Sequence, residues 1–180
     1  MIALLMCGGK GKRLGMGEKP LVKVLGKKLV DHMLDNLIEF DVIAVTSKYT
    51  EKTETYLKMQ GIDCYKAKGE GFVEDYMEAV KQLRLFEPLI VASSDVIIFK
   101  DGLINEIVDF YFKSQTKALQ TVYKKPIGIN IIDGYFIDDW QDEVIYKIKC
   151  KDAININTKR DIKKAEEIWK LMNLEKREKN

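Results

Sequence analysis

The chain has 180 residues, 46% of them hydrophobic and 32% charged, with a formal net charge of +2. That length suits one domain able to bury most of its apolar surface; so small a charge argues against nucleic acid as a partner, and no apolar run approaches the twenty or so residues that a membrane span takes. Three cysteines, Cys7, Cys64 and Cys150, are odd in number and lack metal-ligand spacing, so reduced thiols in a cytoplasm are expected, and with Met1 running straight into an apolar stretch no cleavable leader is expected.

Residues 2–6 (IALLM) read as a buried strand, and they break into CGGKGKRLGMGEKPL over residues 7–21. Five glycines in the ten residues 8–17 let backbone N–H groups turn around an anion. Lys10, Lys12, Arg13 and Lys19 stand there against the single acid Glu18, and a polyphosphate is the ligand that uses both backbone donors and fixed charge. The P-loop pattern GxxxxGK[ST] is absent. The dinucleotide pattern GxGxxG fails at Leu14, although a looser form ending at Gly15 survives. Because dinucleotide sites rely on helix dipole and bare backbone, four basic side chains favour a triphosphate.

Apolar spacing at Leu29, Met33, Leu37 and Phe40 predicts a helix over 29–40. A second buried strand is expected over 41–46, a polar helix over 50–60 ended by Gly61, a short strand over 62–65, a second amphipathic helix over 72–85, and a fourth strand over 89–92 leading into Ser93-Ser94-Asp95. This alternation predicts an α/β fold, a Rossmann-like three-layer αβα sandwich with a mostly parallel sheet. A helix over 103–113 and strands over 118–123, 127–132 and 144–148 make the second half richer in β structure. The closing helix starts at Thr158, an N-cap with Asp161 three residues on. Residues 1–172 then form one domain and 173–180 a charged tail.

In such sheets ligands sit at the carboxyl ends of the strands, which brings together the glycine loop, Thr46, the stretch 68–71 with Gly69 and Gly71, and Asp95. Asp95 is placed to hold Mg²⁺ on a triphosphate, since that ion takes only one or two protein carboxylates. Guanine offers two donors on one edge; Glu74 or Asp75 suits them, unless these acids only complement a helix N-terminus. Cys7 lies where strand meets loop, a small buried residue rather than a nucleophile. His32, the one histidine, is expected at the surface; with no paired cysteines, zinc or histidine-based nucleophilic catalysis is hard to build.

The stretch GGKGKRLGMGEKPL resembles the signature of nucleotidyltransferases with the nucleotide-diphospho-sugar transferase fold. With KGEGFVED, SSDVI, PIGINI over 126–131 and ININ over 154–157, the pattern is similar to that of the archaeal GTP:adenosylcobinamide-phosphate guanylyltransferases, from Met1 to about residue 167. The resemblance implies that Lys19 contacts the phosphate under attack, that Arg13 holds the outer phosphates, and that Cys7, Gly8, Gly9, Lys10, Gly11 and Lys12 wrap the nucleotide. It also implies an acidic metal ligand at Asp95, close backbone approach at Gly128, and a further metal or phosphate contact from Asn155 or Asn157, of which only one faces the site. GTP, adenosylcobinamide phosphate and Mg²⁺ are the expected partners, a homodimer is a possibility the resemblance raises, and the corrinoid is expected on an open, partly apolar face near the β-rich half. Three alternatives stay open: another nucleotidyltransferase of this fold, acting on molybdopterin or a sugar phosphate; a GTP-binding module without turnover; and an NAD(P) site with Ser47 and Lys48 at a 2′-phosphate.

Overall fold

A computed structural model describes residues 1–11 and 14–177. The first strand, β1 (Ile2–Met6), contains no polar residue, so both its faces must be covered. Ala3 and Leu5 enter one buried cluster while Leu4 and Met6 enter another, as the period of two requires. Beyond the glycine loop Lys19–Leu21 forms one short 3₁₀ turn. A small hairpin follows, β2 (Lys23–Val24) against β3 (Lys27–Lys28). Its turn residues Leu25 and Gly26 both have positive φ, 52° and 81°, the primed turn that two-residue hairpins use. No such hairpin is expected from the sequence, because strands of two residues carry no alternation.

Helix α1 (Leu29–Asn36) stops short of the predicted residue 40. Leu37 and Phe40 still pack into the core, but through a turn in which Leu37 N donates to Leu34 O and Phe40 N to Leu37 O at 3.0 and 2.9 Å. Spacing of three satisfies a turn as well as a helix, and the turn lets the chain reverse at once into β4 (Asp41–Ser47). His32 is half-buried rather than on the surface: its Nε2 meets Val24 O at 2.7 Å and ties the hairpin to α1.

The remaining elements are α2 (Glu51–Met59), β5 (Asp63–Ala67), α3 (Phe72–Leu83), β6 (Pro88–Ser93), β7 (Val96–Ile98), α4 (Leu103–Ser114), β8 (Ala118–Tyr123), β9 (Lys125–Asp133), β10 (Glu143–Lys147), β11 (Ala153–Asn155) and α5 (Lys159–Arg177). The central sheet has seven strands in the order β10-β8-β9-β6-β1-β4-β5. Only β9 pairs antiparallel with its neighbours, β6 and β8. The other pairings are parallel. Side chains of α1, α2 and α4 join one cluster against the sheet, and those of α3 join the cluster on the opposite face. The α/β three-layer class expected from the alternation is what the chain adopts.

A third cluster is smaller and matters more for the site. Leu14, Val22 and Val24 from the loop and hairpin, Leu29, Ile97, Ile154, Ile156 and Ala165 of α5 form it. It rests on an antiparallel pairing of β7 with β11 that the sequence does not announce. Helix α5 continues to Arg177, through residues expected as a tail. Among the described residues, no helix is long and apolar enough to cross a membrane.

Gly134, at the turn after β9, donates its N–H to Glu87 O at 2.9 Å, and an added Cβ would lie 1.9 Å from Leu85 O. Gly134→Ala is therefore expected to cost about 1–3 kcal/mol or more through overpacking against backbone that cannot retreat. A lower urea midpoint at unchanged slope would register it.

Candidate functional site

The order of strands reverses between β1 and β6, and their carboxyl ends open a crevice. Two backbone bonds continue the sheet beyond the strands: Cys7 N donates to Val45 O at 2.8 Å and Ser94 N to Met6 O at 3.1 Å. The glycine loop thus leaves a rigid edge. A cleft of about 450 Å³ lies above it, lined by residues 6–11, Leu14, Lys19, Pro20, Gly69 to Phe72, Asp75, Ser93 to Asp95 and Asn157.

Glu18 anchors the far end of the loop. Its carboxylate accepts from Lys52 N at 3.0 Å and from both N and Oγ1 of Thr53 at 2.7 Å. Those N–H groups belong to the first turn of α2, which has no partners of its own for them and favours a negative charge. Sequence reading counted Glu18 only as the loop's lone acid, because the helix that it caps is more than thirty residues away.

Lys19 follows directly, and its ammonium pairs with Asp95 Oδ2 and with Asn157 Oδ1, the latter at 3.0 Å. Ser93 Oγ donates to Asp95 Oδ1 at 2.6 Å. The β7–β11 pairing runs into a bond from Ile156 N to Asp95 O at 2.8 Å, and so delivers Asn157 beside Asp95. Asn157 Nδ2 donates to Asn155 Oδ1 at 2.7 Å, and Asn155 Nδ2 to Ile127 O at 3.1 Å. Asn157 lines the cleft, and Asn155 stands behind it.

On the opposite wall Asp75 is buried, and its Oδ1 accepts from Gly69 N at 2.9 Å and Glu70 N at 3.1 Å. Burial raises its carboxyl above the usual range, although the backbone N–H groups of residues 69–71 oppose that. Its Oδ2 faces the loop, 3.2 Å from where a side chain on Gly8 would begin. Gly69 has φ +77°, and a Cβ there would come within 3.0 Å of the Tyr49 ring; both conformation and space exclude a side chain.

Several expected positions stand elsewhere. Thr46 does not face the cleft: its hydroxyl donates to Glu54 Oε2 at 3.2 Å and Tyr65 O at 3.4 Å. Side chains alternate along β4, so it is Ser47 that turns to the loop, where its Oγ donates to Gly8 O at 2.7 Å. That hydroxyl is buried and committed, which removes it from the 2′-phosphate role. Glu74 is exposed and outside the cleft lining. Gly128 lines a neighbouring groove; at φ +91°, a Cβ would lie 2.9 Å from Ser93 Cβ, so its glycine lets β9 lie close behind Ser93. Lys12 and Arg13 lie outside the described residues. Lys10 lines the cleft and also an open recess with Lys48, Lys66 and Lys68 around Tyr49. Among the described residues, no three His, Cys, Asp or Glu side chains gather as a metal cluster.

A backbone-lined loop facing a lysine paired with a carboxylate, at a sheet's switch point, is the arrangement of an α/β enzyme that handles nucleotide phosphates by charge and position. Residues 3–148 match the MobA-like NTP transferase domain. The chain is 34% identical to adenosylcobinamide-phosphate guanylyltransferase of Methanocaldococcus jannaschii, with 94% of this chain and 98% of that protein covered. Among solved structures, molybdopterin-guanine dinucleotide biosynthesis protein A of Archaeoglobus fulgidus has the same fold at 23% identity and a TM-score of 0.72, over 94% of this chain and 99% of that one. A putative glucose-1-phosphate thymidylyltransferase of Bacillus anthracis does so at 12% identity and 0.73, over 92% and 94%. The chain belongs to the MobA-like NTP transferase family and is a nucleotidyltransferase.

Two outcomes test the site's construction. Glu18→Ala is expected to lower stability by about 1–2 kcal/mol, the size of a lost helix cap, and to reduce turnover by releasing Lys19's neighbour; denaturant midpoints and rates measure both. The Cys7 thiol is pushed up to about 12 by burial, with its hydrogen bond to Ser94 only partly opposing. At pH 8 a thiol reagent is therefore expected to label exposed Cys150 and to reach Cys7 only after unfolding.

Proposed function

We propose that this protein transfers GMP from GTP to adenosylcobinamide phosphate and releases pyrophosphate. The observation that carries the reading is the cluster of Lys19, Asp95 and Asn157 at the mouth of the glycine loop. The likeness to the M. jannaschii guanylyltransferase over nearly the whole of both chains supports the choice of substrates.

An oxygen of the acceptor's terminal phosphate attacks the α-phosphorus of GTP; a P–O bond forms there as the bond to the β-phosphate oxygen breaks, and pyrophosphate leaves. The attacking phosphate is already an anion, so no general base is called for. The obstacle is the approach of two anions, and Lys19 with the loop N–H groups answers it by neutralising charge in fixed positions. Arg13 has the same role in this reading. Asp75 reads guanine through the carboxylate oxygen beside Gly8, while its other oxygen keeps residues 69 and 70 in place.

Mg²⁺ belongs to this reading, and the donor set fits it: a carboxylate oxygen of Asp95 and the amide oxygen of Asn157 already converge on one cation, the Lys19 ammonium. Those two residues would hold the ion, which supplies charge neutralisation for the triphosphate when bound. The acceptor's body lies across the open groove beside the cleft, which shares Phe72 and Ser93 with it. Val73, Tyr76 and Pro126 give that groove apolar contacts, and Gln120 and Asn130 give it amide partners, which suits a large ring bearing amide side chains. The three free thiols agree with a cytoplasmic enzyme.

Pyrophosphate release from GTP, ATP, CTP and UTP, with and without adenosylcobinamide phosphate, tests the reading. Release only with GTP and the corrinoid together is expected, and GTP binding without release under any acceptor would refute it. Lys19→Ala is expected to lower kcat by about 10²–10³, the scale of one lost electrostatic stabiliser, with a much smaller change in GTP affinity.

A further inference from the structure

We infer, on the reading of the cleft as a nucleotide site, that Lys19 occupies the cation position while nucleotide is absent, and that metal and nucleotide therefore enter together by displacing its ammonium. Lys19 Nζ is held by Asp95 Oδ2 and by Asn157 Oδ1 at 3.0 Å, with side chains of Lys19 and Asp95 only 14% and 15% exposed. Oδ1 of Asp95 already accepts from Ser93. One carboxylate and one amide oxygen, largely shielded from water, cannot serve two cations at once, because like charges at this range repel strongly where water does not screen them.

The two oxygens do not depend on the lysine for their positions. Asp95 is fixed by β6 and β7 and by the bond from Ile156 N, and its Oδ1 by Ser93. The backbone N–H of Asn157 donates to Asp161 Oδ2 at 3.0 Å, and its Nδ2 to Asn155. The donor pair is thus preformed, and the movable member is the ammonium on its flexible four-carbon stem. A triphosphate seated on the glycine loop offers that ammonium other oxygens. Its departure uncovers Asp95 for the ion that the nucleotide carries. Free divalent cation meets an occupied position, so metal affinity is coupled to nucleotide, and by reciprocity nucleotide affinity to metal.

Mn²⁺ titrated against the full chain without nucleotide, with free Mn²⁺ read by electron paramagnetic resonance, tests this without any turnover. Lys19→Met is expected to bind Mn²⁺ at least about tenfold more tightly than the wild type, within the usual range of coupling between sites. Lys19→Arg, which keeps the positive charge, should stay as weak as the wild type. Adding Asp95→Asn to Lys19→Met should abolish the gain. A non-hydrolysable GTP analogue should sharpen Mn²⁺ binding in the wild type and much less in Lys19→Met. Mn²⁺ binding in Lys19→Met no tighter than in the wild type overturns the exchange, as does a gain that survives the loss of Asp95. Should Lys19→Met fail to fold, Asp95→Asn alone decides: in EDTA, with Lys19 released, it should bind inorganic pyrophosphate several-fold more tightly than the wild type, and equal affinity overturns the proposal. Failure of pyrophosphate release from GTP would remove the transferase reading while leaving these binding results intact.

Discussion

The site depends on the short pairing of β7 with β11, which sets Asp95 and Asn157 on the same side of Lys19. Three segments far apart in the chain supply one cluster, and the backbone bond from Ile156 N to Asp95 O ties two of them together. A carboxylate and an ammonium that are mostly withdrawn from water are costly unless each is paired and its remaining polar atoms are satisfied. Ser93 on one side and Asn155 behind Asn157 meet that condition. The cluster is therefore polar, organised and confined to one point on the sheet edge.

The loop opposite works by a different rule. Its glycines allow tight turns but hold no position by themselves, so the fixing comes from side-chain bonds at its two ends. Ser47 binds Gly8 O and Glu18 binds the first turn of α2, while on the facing wall Asp75 binds the N–H groups of residues 69 and 70. Each is a polar group whose partner is backbone, which leaves the basic side chains of Lys10 and Lys19 for ligand or counter-ion. A loop tied at these points is preorganised for an anion.

The sheet has the same division of labour. Its parallel half, β5-β4-β1-β6, carries the nucleotide-type cleft at its carboxyl edge, and β9, reversed between β6 and β8, begins the part that holds the neighbouring groove. Gly128 sits at the seam, where a side chain would collide with Ser93. The two recesses share Phe72 and Ser93, so they adjoin beside Asp95.

Buried strands, amphipathic helices and the glycine loop were legible in the sequence because each is written in neighbouring residues: IALLM has no polar position, and GGKGKRLGMGEKP concentrates glycine and lysine. The alternation of these elements was enough for the α/β class, and the motif spacing for the nucleotidyltransferase family. Where prediction and structure part, the information was not local. The spacing of Leu37 and Phe40 fits helix and turn alike, and only the start of β4 decides between them. Thr46 and Ser47 are adjacent polar residues, and which of them meets the loop depends on the phase of β4 in the sheet. The same holds for Glu74 and Asp75 at the start of α3. The cap that Glu18 makes on α2, and the β7–β11 pairing that joins Lys19, Asp95 and Asn157, are long-range contacts between segments too short or too polar to show a period. By itself, then, the sequence determined which elements form and which residue types gather at the loop, since propensity and periodicity act over a few residues. Tertiary structure alone decided that Lys19 and Asp95, both already named by motif, bond to each other and that Asn157 rather than Asn155 joins them, since that is a matter of register between strands, and a shift of one residue turns a side chain to the other face.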